Sequence, residues 1–429
     1  MIDYNLISSD DHMDLNYVPK DMWLKRLPTK YRDAAPRVVD NSWVCEGQRL
    51  GFYGTRRGTF ISTFDRAGVP EEPEPGVFRP ASGKYRLQDM DRDAIDATVI
   101  YGLAGFLAFK DLALKSACLA AYNEWVAEDL CGYNAKRLLG IALLPAHDVQ
   151  AAAAEARHAA KLGLPGVMFD VYHAVERVGS RIWDPLWDVC EETGLVVSFH
   201  TGGGMYSVKT TPGSWEMMAT VVVLPLQLDE AICNVVFAGT LERHPKLKVI
   251  VAESGIGWLP YLIERMDYEH KRYFDTVKDH RNQHLPSELV RRQMWFSFEH
   301  DDIGTKMVPL IGEDIVTWAS DYPHGDTTFP HSKKAVEEMF AGVDAGITRK
   351  VVRFGLNAPD HPGDFGLINT NGMAWLVRAM ESDETLKRRK DEAEEIIIQR
   401  LMPADALRIR GRHNASNALA ALALATAAG

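Results

Sequence analysis

The chain alternates short apolar runs with helical stretches over most of its length, and this alternation limits the folds open to it. The eight runs, rich in Val, Ile, Leu and Phe, lie at 6–9, 97–101, 138–144, 166–171, 195–199, 247–252, 294–298 and 315–319. Because they lack polar alternation, they predict strands buried on both faces, as in a parallel sheet. Strands and helices in this repeat indicate a (β/α)8 TIM barrel, and no G-x-G-x-x-G follows the first run to suggest a doubly wound dinucleotide-binding sheet.

Two stretches depart from the alternation. Residues from about 16 to 88 are rich in Pro, Gly, Arg and aromatic side chains, which predicts a packed cap inserted after strand 1, over the mouth of the barrel. From about residue 360 the composition changes again, and the charged run at 381–400 predicts a C-terminal helical extension. We therefore expect a barrel domain at 1–359 and an extension at 360–429.

The amino-acid composition limits the kinds of molecule that the protein is expected to bind. A formal net charge of -11 argues against a nucleic-acid or anionic-membrane surface, which would need clustered Lys and Arg. The first residues lack the basic and apolar regions of a signal peptide, and no run approaches the roughly 20 apolar residues of a membrane helix, so a cytoplasmic protein is expected. Five widely spaced cysteines without C-x-x-C predict reduced thiols. We expect a small-molecule substrate.

Side chains that can bind a metal follow four of the apolar runs. These residues are Asp10, His12, His200, Glu253 and Asp321. A barrel brings the carboxyl ends of its strands to one face, so the five side chains are expected to converge. Three carboxylates and two imidazoles cannot all be charged together without compensation, which a divalent cation would provide. Mixed nitrogen and oxygen ligands suit Zn²⁺ best, with Mn²⁺ as the alternative, and an open position would hold a water whose pKa the ion lowers to about 7.

Each of these residues also has a structural explanation when taken alone. Asp10 and Asp321 could cap turns, and His200 could be a hydrogen-bonded core histidine. Glu253 could instead satisfy the first amides of a helix. The recurrence of such residues at the ends of several runs favours a joint chemical role over four separate structural ones.

Four motifs carry a specific resemblance. They are I-S-S-D-D-H at 7–12, P-x-x-Y-R-D-x-A-P-R at 28–37, L-E-R-H-P-K-L-K-V at 241–249 and A-S-D-Y-P-H at 319–324. Over residues 3–358 the chain resembles the amidohydrolase-related family that contains aminocarboxymuconate-semialdehyde decarboxylase and the resorcylate-type decarboxylases. The resemblance implies a metal-dependent TIM barrel, often a homodimer. It also implies that Asp10, His12, His200 and Asp321 are the metal ligands.

The chain departs from that family's usual pattern at two positions. Asp10 stands where many members have His or Glu, and Glu253 stands where many have a histidine after the sixth strand. The site is therefore more anionic than the commonest version. Glu253 could act as a ligand or as a proton carrier.

The C-terminal residues 366–429 resemble a different family. The segments at 372–379 and 411–421, which include a G-R-H-N motif, are similar to the central domain of UDP-N-acetylmuramoylalanine–D-glutamate ligase. No G-x-x-x-x-G-K-[ST] phosphate loop occurs in this sequence, so ATP-dependent ligase activity is not expected. We interpret the region as an incomplete fused fragment that contributes packing or oligomer contacts at most.

The family resemblance favours a decarboxylase acting on a small carboxylated aromatic or ring-cleaved substrate. In that reaction the metal would anchor the substrate's carboxylate, and Asp321 or a metal-bound water would protonate the carbon as CO₂ departs. A hydrolase would use the same metal to activate water, with Asp321 carrying the proton. The catalytic candidates are therefore Asp321 and Glu253. A hydratase and a non-catalytic barrel with a vestigial site remain as alternatives.

Four further residues are candidates for substrate binding. An arginine pair in the cap, Arg56 and Arg57, could clamp a carboxylate, although surface arginines are common. His300 follows the seventh run. His324 lies close enough to Asp321 in sequence to orient it.

Overall fold

The computed structural model describes residues 5–55, 62–102, 108–202, 214–278, 282–341, 356–359, 361, 363–381, 396–406 and 419. The chain divides into two compact units, Met1–Val343 and Asp344–Gly429. The strands are β1 (Ile7–His12), β2 (Arg37–Val39), β3 (Ser42–Cys45), β4 (Gln48–Phe52), β5 (Ala97–Tyr101), β6 (Leu138–Leu143), β7 (Gly166–Met168), β8 (Val196–His200), β9 (Lys248–Ala252), β10 (Met294–Phe298), β11 (Val316–Trp318), β12 (Phe365–Thr370), β13 (Met373–Glu381) and β14 (Ile396–Pro403).

The α-helices lie between and after these strands. They are α1 (Met22–Arg26), α2 (Thr63–Arg66), α3 (Gly83–Asp93), α4 (Leu112–Trp125), α5 (Val149–Leu162), α6 (Asp184–Thr193), α7 (Trp215–Val223), α8 (Asp229–Phe237), α9 (Thr240–Arg243), α10 (Leu259–Tyr273), α11 (Pro286–Gln293), α12 (Asp302–Ile311) and α13 (Ser332–Ala341).

Eight parallel strands of the first unit form one sheet in the order β1-β5-β6-β7-β8-β9-β10-β11. The two outer strands approach each other. The hydroxyl of Ser9 in β1 donates to the carbonyl of Trp318 in β11 at 2.9 Å. The amide of Asp321 donates to the carbonyl of Asp10 at 3.0 Å. The sheet is therefore nearly closed, and the predicted barrel is confirmed.

The apolar runs form the strands because both of their faces are covered. Val249 and Val251 of β9 and Phe296 and Phe298 of β10 are all buried in the barrel core. β-branched and aromatic side chains pack well on a pleated surface, and helices on the outside exclude water from the second face.

Helix α5 illustrates how the helical stretches pack on this sheet. Its alanines at 152, 153, 156 and 159 are buried, and their spacing of three and four residues places them on one face. The Asp148 carboxylate caps the first turn by accepting from the amide of Ala151 at 2.7 Å. Gly163 follows the last turn with φ +81°, a conformation that favours glycine.

The described residues between β1 and β5 include a packed insertion, as the aromatic content predicts. Strands β2, β3 and β4 form a separate antiparallel sheet. The rings of Trp23 and Trp43 meet edge to face at 4.8 Å, and both side chains are buried. Further along, the Thr63 hydroxyl donates to the carbonyl of His324 at 2.8 Å. The insertion thus reaches the loop after β11, on the face where the strands end.

All five cysteines are free thiols, as expected. Four are buried and Cys233 is half-buried. Burial raises the pKa of the Cys45 thiol to about 11 and that of Cys190 to about 12. These thiols are protonated at neutral pH and act as packing groups.

The second unit departs from the prediction. Its described residues include the antiparallel sheet β12-β13-β14, whereas the charged run at 381–400 predicts a helix. Residues 382–395 lie outside the described residues, but β14 begins at Ile396 and pairs with the end of β13. The three consecutive isoleucines at 396–398 explain the strand, because β-branched side chains lose rotamer freedom in a helix and fit a pleated surface. The helical prediction is therefore wrong for residues 396–400.

One stretch of the described residues, Trp215–Phe237, is long and apolar enough by length and composition to cross a membrane, which is weak evidence for a span. It is longer than the apolar runs expected from the sequence, because α7 and α8 are nearly continuous. A 3-10 turn at Leu224–Leu228 separates them. Ile232 and Val235 of α8 are buried in the barrel core. This half of the stretch therefore packs as a barrel helix.

Asp93 provides a test of the packing between α3 and α13. Its carboxylate accepts from the amide of Ser332 at 2.7 Å and from the Ser332 hydroxyl. Burial raises the pKa of Asp93 to about 6, above its value in an unfolded chain. Between about pH 4 and pH 6 the unfolded Asp93 loses its proton while the folded one retains it, so stability falls.

We expect the free energy of unfolding of the wild type, relative to Asp93→Asn, to be highest below about pH 4. It should fall by about 2–3 kcal/mol and level off above about pH 6. Urea denaturation of the two proteins at several pH values measures this difference. A difference that does not change with pH would contradict the assignment.

Candidate active site

Five side chains converge where the barrel strands end, as predicted. Asp10 and His12 come from β1, His200 ends β8, Glu253 follows β9 and Asp321 follows β11. His12 Nε2 lies 3.5 Å from Asp10 Oδ1 and 3.0 Å from Asp321 Oδ1. His200 Nε2 lies 3.6 Å from Asp10 Oδ2 and 3.5 Å from Glu253 Oε2. One ion could therefore contact several of them at once.

Asp11 holds the first of these strands in place. Its carboxylate accepts from the hydroxyls of Ser8 at 2.8 Å and Ser320 at 2.7 Å, and from Thr98. The guanidinium of Arg86, fully buried, lies 3.5 Å from the same carboxylate. These contacts join β1, β5, α3 and the segment after β11, while Asp10 and His12 point into the site.

Two of the acidic residues have left-handed backbone conformations that residues other than glycine adopt rarely. Glu253 has φ +50° and Asp321 has φ +57°. The amide of Glu253 donates to Ser297 Oγ at 2.9 Å, and the amide of Asp321 donates to the carbonyl of Asp10. These bonds hold the two turns. The surrounding structure therefore fixes strained backbone at the site.

The strongest indication of a ligand is a set of buried polar atoms that lie 3.0–3.6 Å from one another but make no well-aligned hydrogen bond. They are both carboxylate oxygens of Asp10, Nε2 of His12, Nε2 of His200 and Oδ1 of Asp321. Leaving such atoms unsatisfied costs free energy, and native structures rarely do so. Ligand atoms of Asp10, His12 and His200 all lie within 4.8 Å of one another. The residues fit a divalent cation with mixed nitrogen and oxygen ligands.

The second nitrogen of His200 supports the same interpretation. His200 Nδ1 lies 2.7 Å from the carbonyl of Thr201, which can only accept a hydrogen bond. Nδ1 must therefore carry the proton, and Nε2 in the neutral ring offers its lone pair to the site. Metal-bound histidines commonly have their other nitrogen oriented in this way.

Burial controls the charges at the site. It raises the pKa of Asp10 and lowers the pKa of His12 well below its usual range. Burial alone would also lower the pKa of His200, but the negative charge of Asp10 raises it to about 9. The acids thus attract a proton to His200 when nothing else compensates them. A divalent cation would take the place of that proton.

Of the four residues predicted to bind substrate, one contacts the site directly. His324 contacts Asp321, with Nδ1 2.9 Å from Oδ2, and its ring stacks on His12 at 3.9 Å between centroids. His300 is exposed just beyond β10. Arg56 and Arg57 lie outside the described residues.

Sequence reasoning missed Glu299. One oxygen of this carboxyl group, Oε1, is buried without a hydrogen-bond partner. Glu299 forms a group with Glu253 and Asp321, in which one ligand oxygen from each lies within 4.8 Å of the others. The residue directly follows the apolar run at 294–298, so the criterion that selected Asp321 would have selected it as well.

A nearly closed parallel barrel with buried carboxylates and imidazoles at the strand ends is the arrangement of metal-dependent TIM-barrel enzymes. Residues 74–353 match a family model described as amidohydrolase. The match covers more than half of the chain, and the chain belongs to the amidohydrolase family. The resemblance seen in the sequence motifs is confirmed.

Solved structures share the fold. An amidohydrolase from Mycobacterium avium subsp. paratuberculosis K-10 has a TM-score of 0.61 and 21% identity, over 80% of this chain and 95% of that chain. The 5-carboxyvanillate decarboxylase from Sphingomonas paucimobilis has a TM-score of 0.54 and 17% identity, over 80% and 94%. The manganese-bound 5-carboxyvanillate decarboxylase from Novosphingobium aromaticivorans has a TM-score of 0.52 and 17% identity, over 79% and 96%. At these identities the likeness shows the fold.

The C-terminal region matches a second kind of protein. Over 81 residues, 19% of this chain, it is 72% identical to UDP-N-acetylmuramoylalanine–D-glutamate ligase from Albidiferax ferrireducens. The chain spans only 16% of that relative's length. The predicted resemblance of the tail to a ligase fragment is confirmed.

Removal of the Asp11 carboxylate should destabilise the barrel. In Asp11→Ala, the buried guanidinium of Arg86 loses its counter-charge, and breaking a buried pair of this kind costs about 3–5 kcal/mol. Urea denaturation followed by circular dichroism measures the loss. Asp33→Ala, at an exposed aspartate, is the matched control and should change stability by about 0.5 kcal/mol or less. Equal unfolding midpoints for the two variants would contradict the role of Asp11.

Proposed function

We propose that the protein is a metal-dependent, non-oxidative decarboxylase acting on a small carboxylated aromatic or ring-cleaved substrate. The observation that carries the proposal is the set of buried, unpartnered ligand atoms at the strand ends. A divalent ion, Zn²⁺ or Mn²⁺, held by Asp10, His12, His200 and Asp321 would anchor the substrate's carboxylate and a neighbouring oxygen. Similarity of fold to decarboxylases of aromatic acids, one of them with bound manganese, supports the proposal.

Asp321 is the proposed proton donor. As the bond between the substrate carbon and its carboxylate breaks, the electron pair stays on that carbon and must receive a proton. Burial raises the pKa of Asp321 well above its usual range, which favours the acid form that a proton donor needs. After Asp321 has given up its proton, His324 could supply another. It contacts Asp321 through Nδ1, and its Nε2 lies 3.3 Å from the Asp14 carboxylate. Glu253 is the second candidate for moving a proton.

Recognition of the substrate is proposed for residues other than the metal ligands. Arg56, Arg57 and His300 are proposed to bind the carboxylate or a ring substituent, and His324 to orient Asp321. The cytoplasmic location and a homodimer stay predictions.

A hydrolase is the second candidate, because the matching family model is described as amidohydrolase. In that reaction Asp321 would accept a proton from the attacking water and return it to the leaving group. A substrate panel separates the two. Aromatic acids should release CO₂ if the protein is a decarboxylase, whereas amides and esters of the same acids should be cleaved if it is a hydrolase. A hydratase would neither release CO₂ from the acids nor cleave the amides and esters.

Asp321→Asn tests the role of this carboxyl group. The substitution keeps the shape of the side chain but removes the acid, so we expect a folded protein whose kcat is lower by about 10²–10⁴-fold. CO₂ release from a responsive substrate measures the effect, and Asp33→Asn is the matched control. Wild-type activity in Asp321→Asn would exclude the proposed role.

Elemental analysis tests the metal site directly. Wild-type protein should contain a tightly bound divalent metal and lose activity on chelation, with recovery after Zn²⁺ or Mn²⁺ is added back. His200→Ala removes one of the proposed ligands and should lose that metal together with activity. A wild-type protein without metal that does not respond to any added ion would refute the catalytic interpretation.

A further inference from the structure

A cavity lies between α8 and α10, at the opposite end of the barrel from the candidate active site. Phe237 is the last residue of α8, Tyr273 is the last residue of α10, and both line the cavity. Barrel helices run opposite to the strands, so their last turns lie at the face where the strands begin. The cavity has a volume of about 340 Å³, which is within the range of small-molecule binding sites. It is therefore a candidate binding site separate from the metal centre.

Apolar and aromatic side chains form most of the cavity wall. Phe237, Tyr273 and Val277 are 37%, 46% and 41% exposed. Phe274 also lines the cavity, and the centroid of its ring lies 5.2 Å from that of the His270 ring. Apolar groups that stay exposed around one cavity indicate a surface that a ligand covers, because burial of apolar area is favourable. Aromatic rings pack well on one another, so this wall suits an aromatic ligand.

Glu269 places a carboxylate in the same wall. Its Oε2 atom is buried and makes no well-aligned hydrogen bond. Arg265 contacts the other oxygen, Oε1, and Arg272 Nη1 lies 3.6 Å from Oε2, which is too long for a hydrogen bond. Both arginines are exposed, and ion pairs of this kind are weak. Oε2 can therefore accept a hydrogen bond from a ligand in the cavity.

His270 adds a second acceptor to the wall. Its Nε2 atom lies 3.0 Å from the carbonyl oxygen of Asn282, which can only accept a hydrogen bond. Nε2 must therefore carry the proton, and Nδ1 of the neutral ring is an acceptor. The side-chain amide of Asn282 donates to the carbonyl of Val236 at 2.8 Å and holds this part of the wall against α8. Both Glu269 and His270 thus favour a ligand that donates hydrogen bonds.

We propose that this cavity binds a small aromatic amine as its ammonium ion. The aromatic ring would lie among Phe237, Tyr273 and Phe274, and the ammonium group would donate to Oε2 of Glu269. A hydrogen bond between two charged groups is stronger than one between neutral groups, and the faces of aromatic rings also attract cations. A ligand carboxylate would instead meet a negative charge and a further acceptor. The site thus selects for positive charge.

Calorimetric titration of the full-length protein with three matched compounds tests the proposal. 2-Phenylethylamine should bind, 2-phenylethanol should bind about 10-fold more weakly or less, and 3-phenylpropanoate should not bind. In Glu269→Gln the affinity for the amine should fall by about 10-fold or more, while that for the alcohol stays unchanged. Glu264→Gln, at an exposed glutamate of α10, is the matched control and should behave as the wild type.

A second variant ties the binding to this cavity. Val277→Trp places a large ring at the cavity wall and should abolish binding of both the amine and the alcohol. Retained binding in this variant would locate the amine elsewhere and overturn the proposal. So would equal affinity of the wild type for the amine and the alcohol, or tighter binding of the acid, and neither comparison depends on a variant that folds. Failure here leaves the proposed function intact, because metal content and CO₂ release are measured at the other end of the barrel.

Discussion

The geometry of the site depends on the hydrogen bonds and the ion pair made by the buried carboxylate of Asp11. This carboxylate joins Ser8 in β1, Thr98 in β5 and Ser320 after β11 through hydrogen bonds, and it faces the buried guanidinium of Arg86. The two outer strands of the sheet meet at this point. Because the proposed metal ligands stand on either side of that junction, the same hydrogen bonds that close the barrel also set the distances between them.

Several features of the site lower the stability of the unliganded protein. Several acids and imidazoles are buried together, Glu253 and Asp321 adopt left-handed backbone, and ligand atoms remain without hydrogen bonds. Each of these features costs free energy in the unliganded protein. A cation that binds only the folded chain would offset those costs and stabilise the barrel by mass action. Function and stability are thus coupled through the same residues.

The two units of the chain have different relatives and different architectures. The first belongs to the amidohydrolase family and contains the parallel barrel. The second matches a fragment of a ligase, and its described residues include an antiparallel sheet with Leu376 buried in its own small core. The chemistry proposed for this protein therefore rests on the first unit alone.

The barrel, and the convergence of five side chains at the ends of its strands, could be predicted from the sequence. The apolar runs could be recognised because parallel strands are buried on both faces, and Asp10, His12, His200, Glu253 and Asp321 because barrel strands end on one side. The role of Asp11 in the framework emerged from the fold, because its partners Thr98 and Ser320 are distant from it in sequence. The fold also revealed how closely Glu299 approaches Glu253 and Asp321. Likewise, Ile396–Pro403 became a strand because β13 offers it a partner, and pairing between distant segments cannot be read from a local pattern.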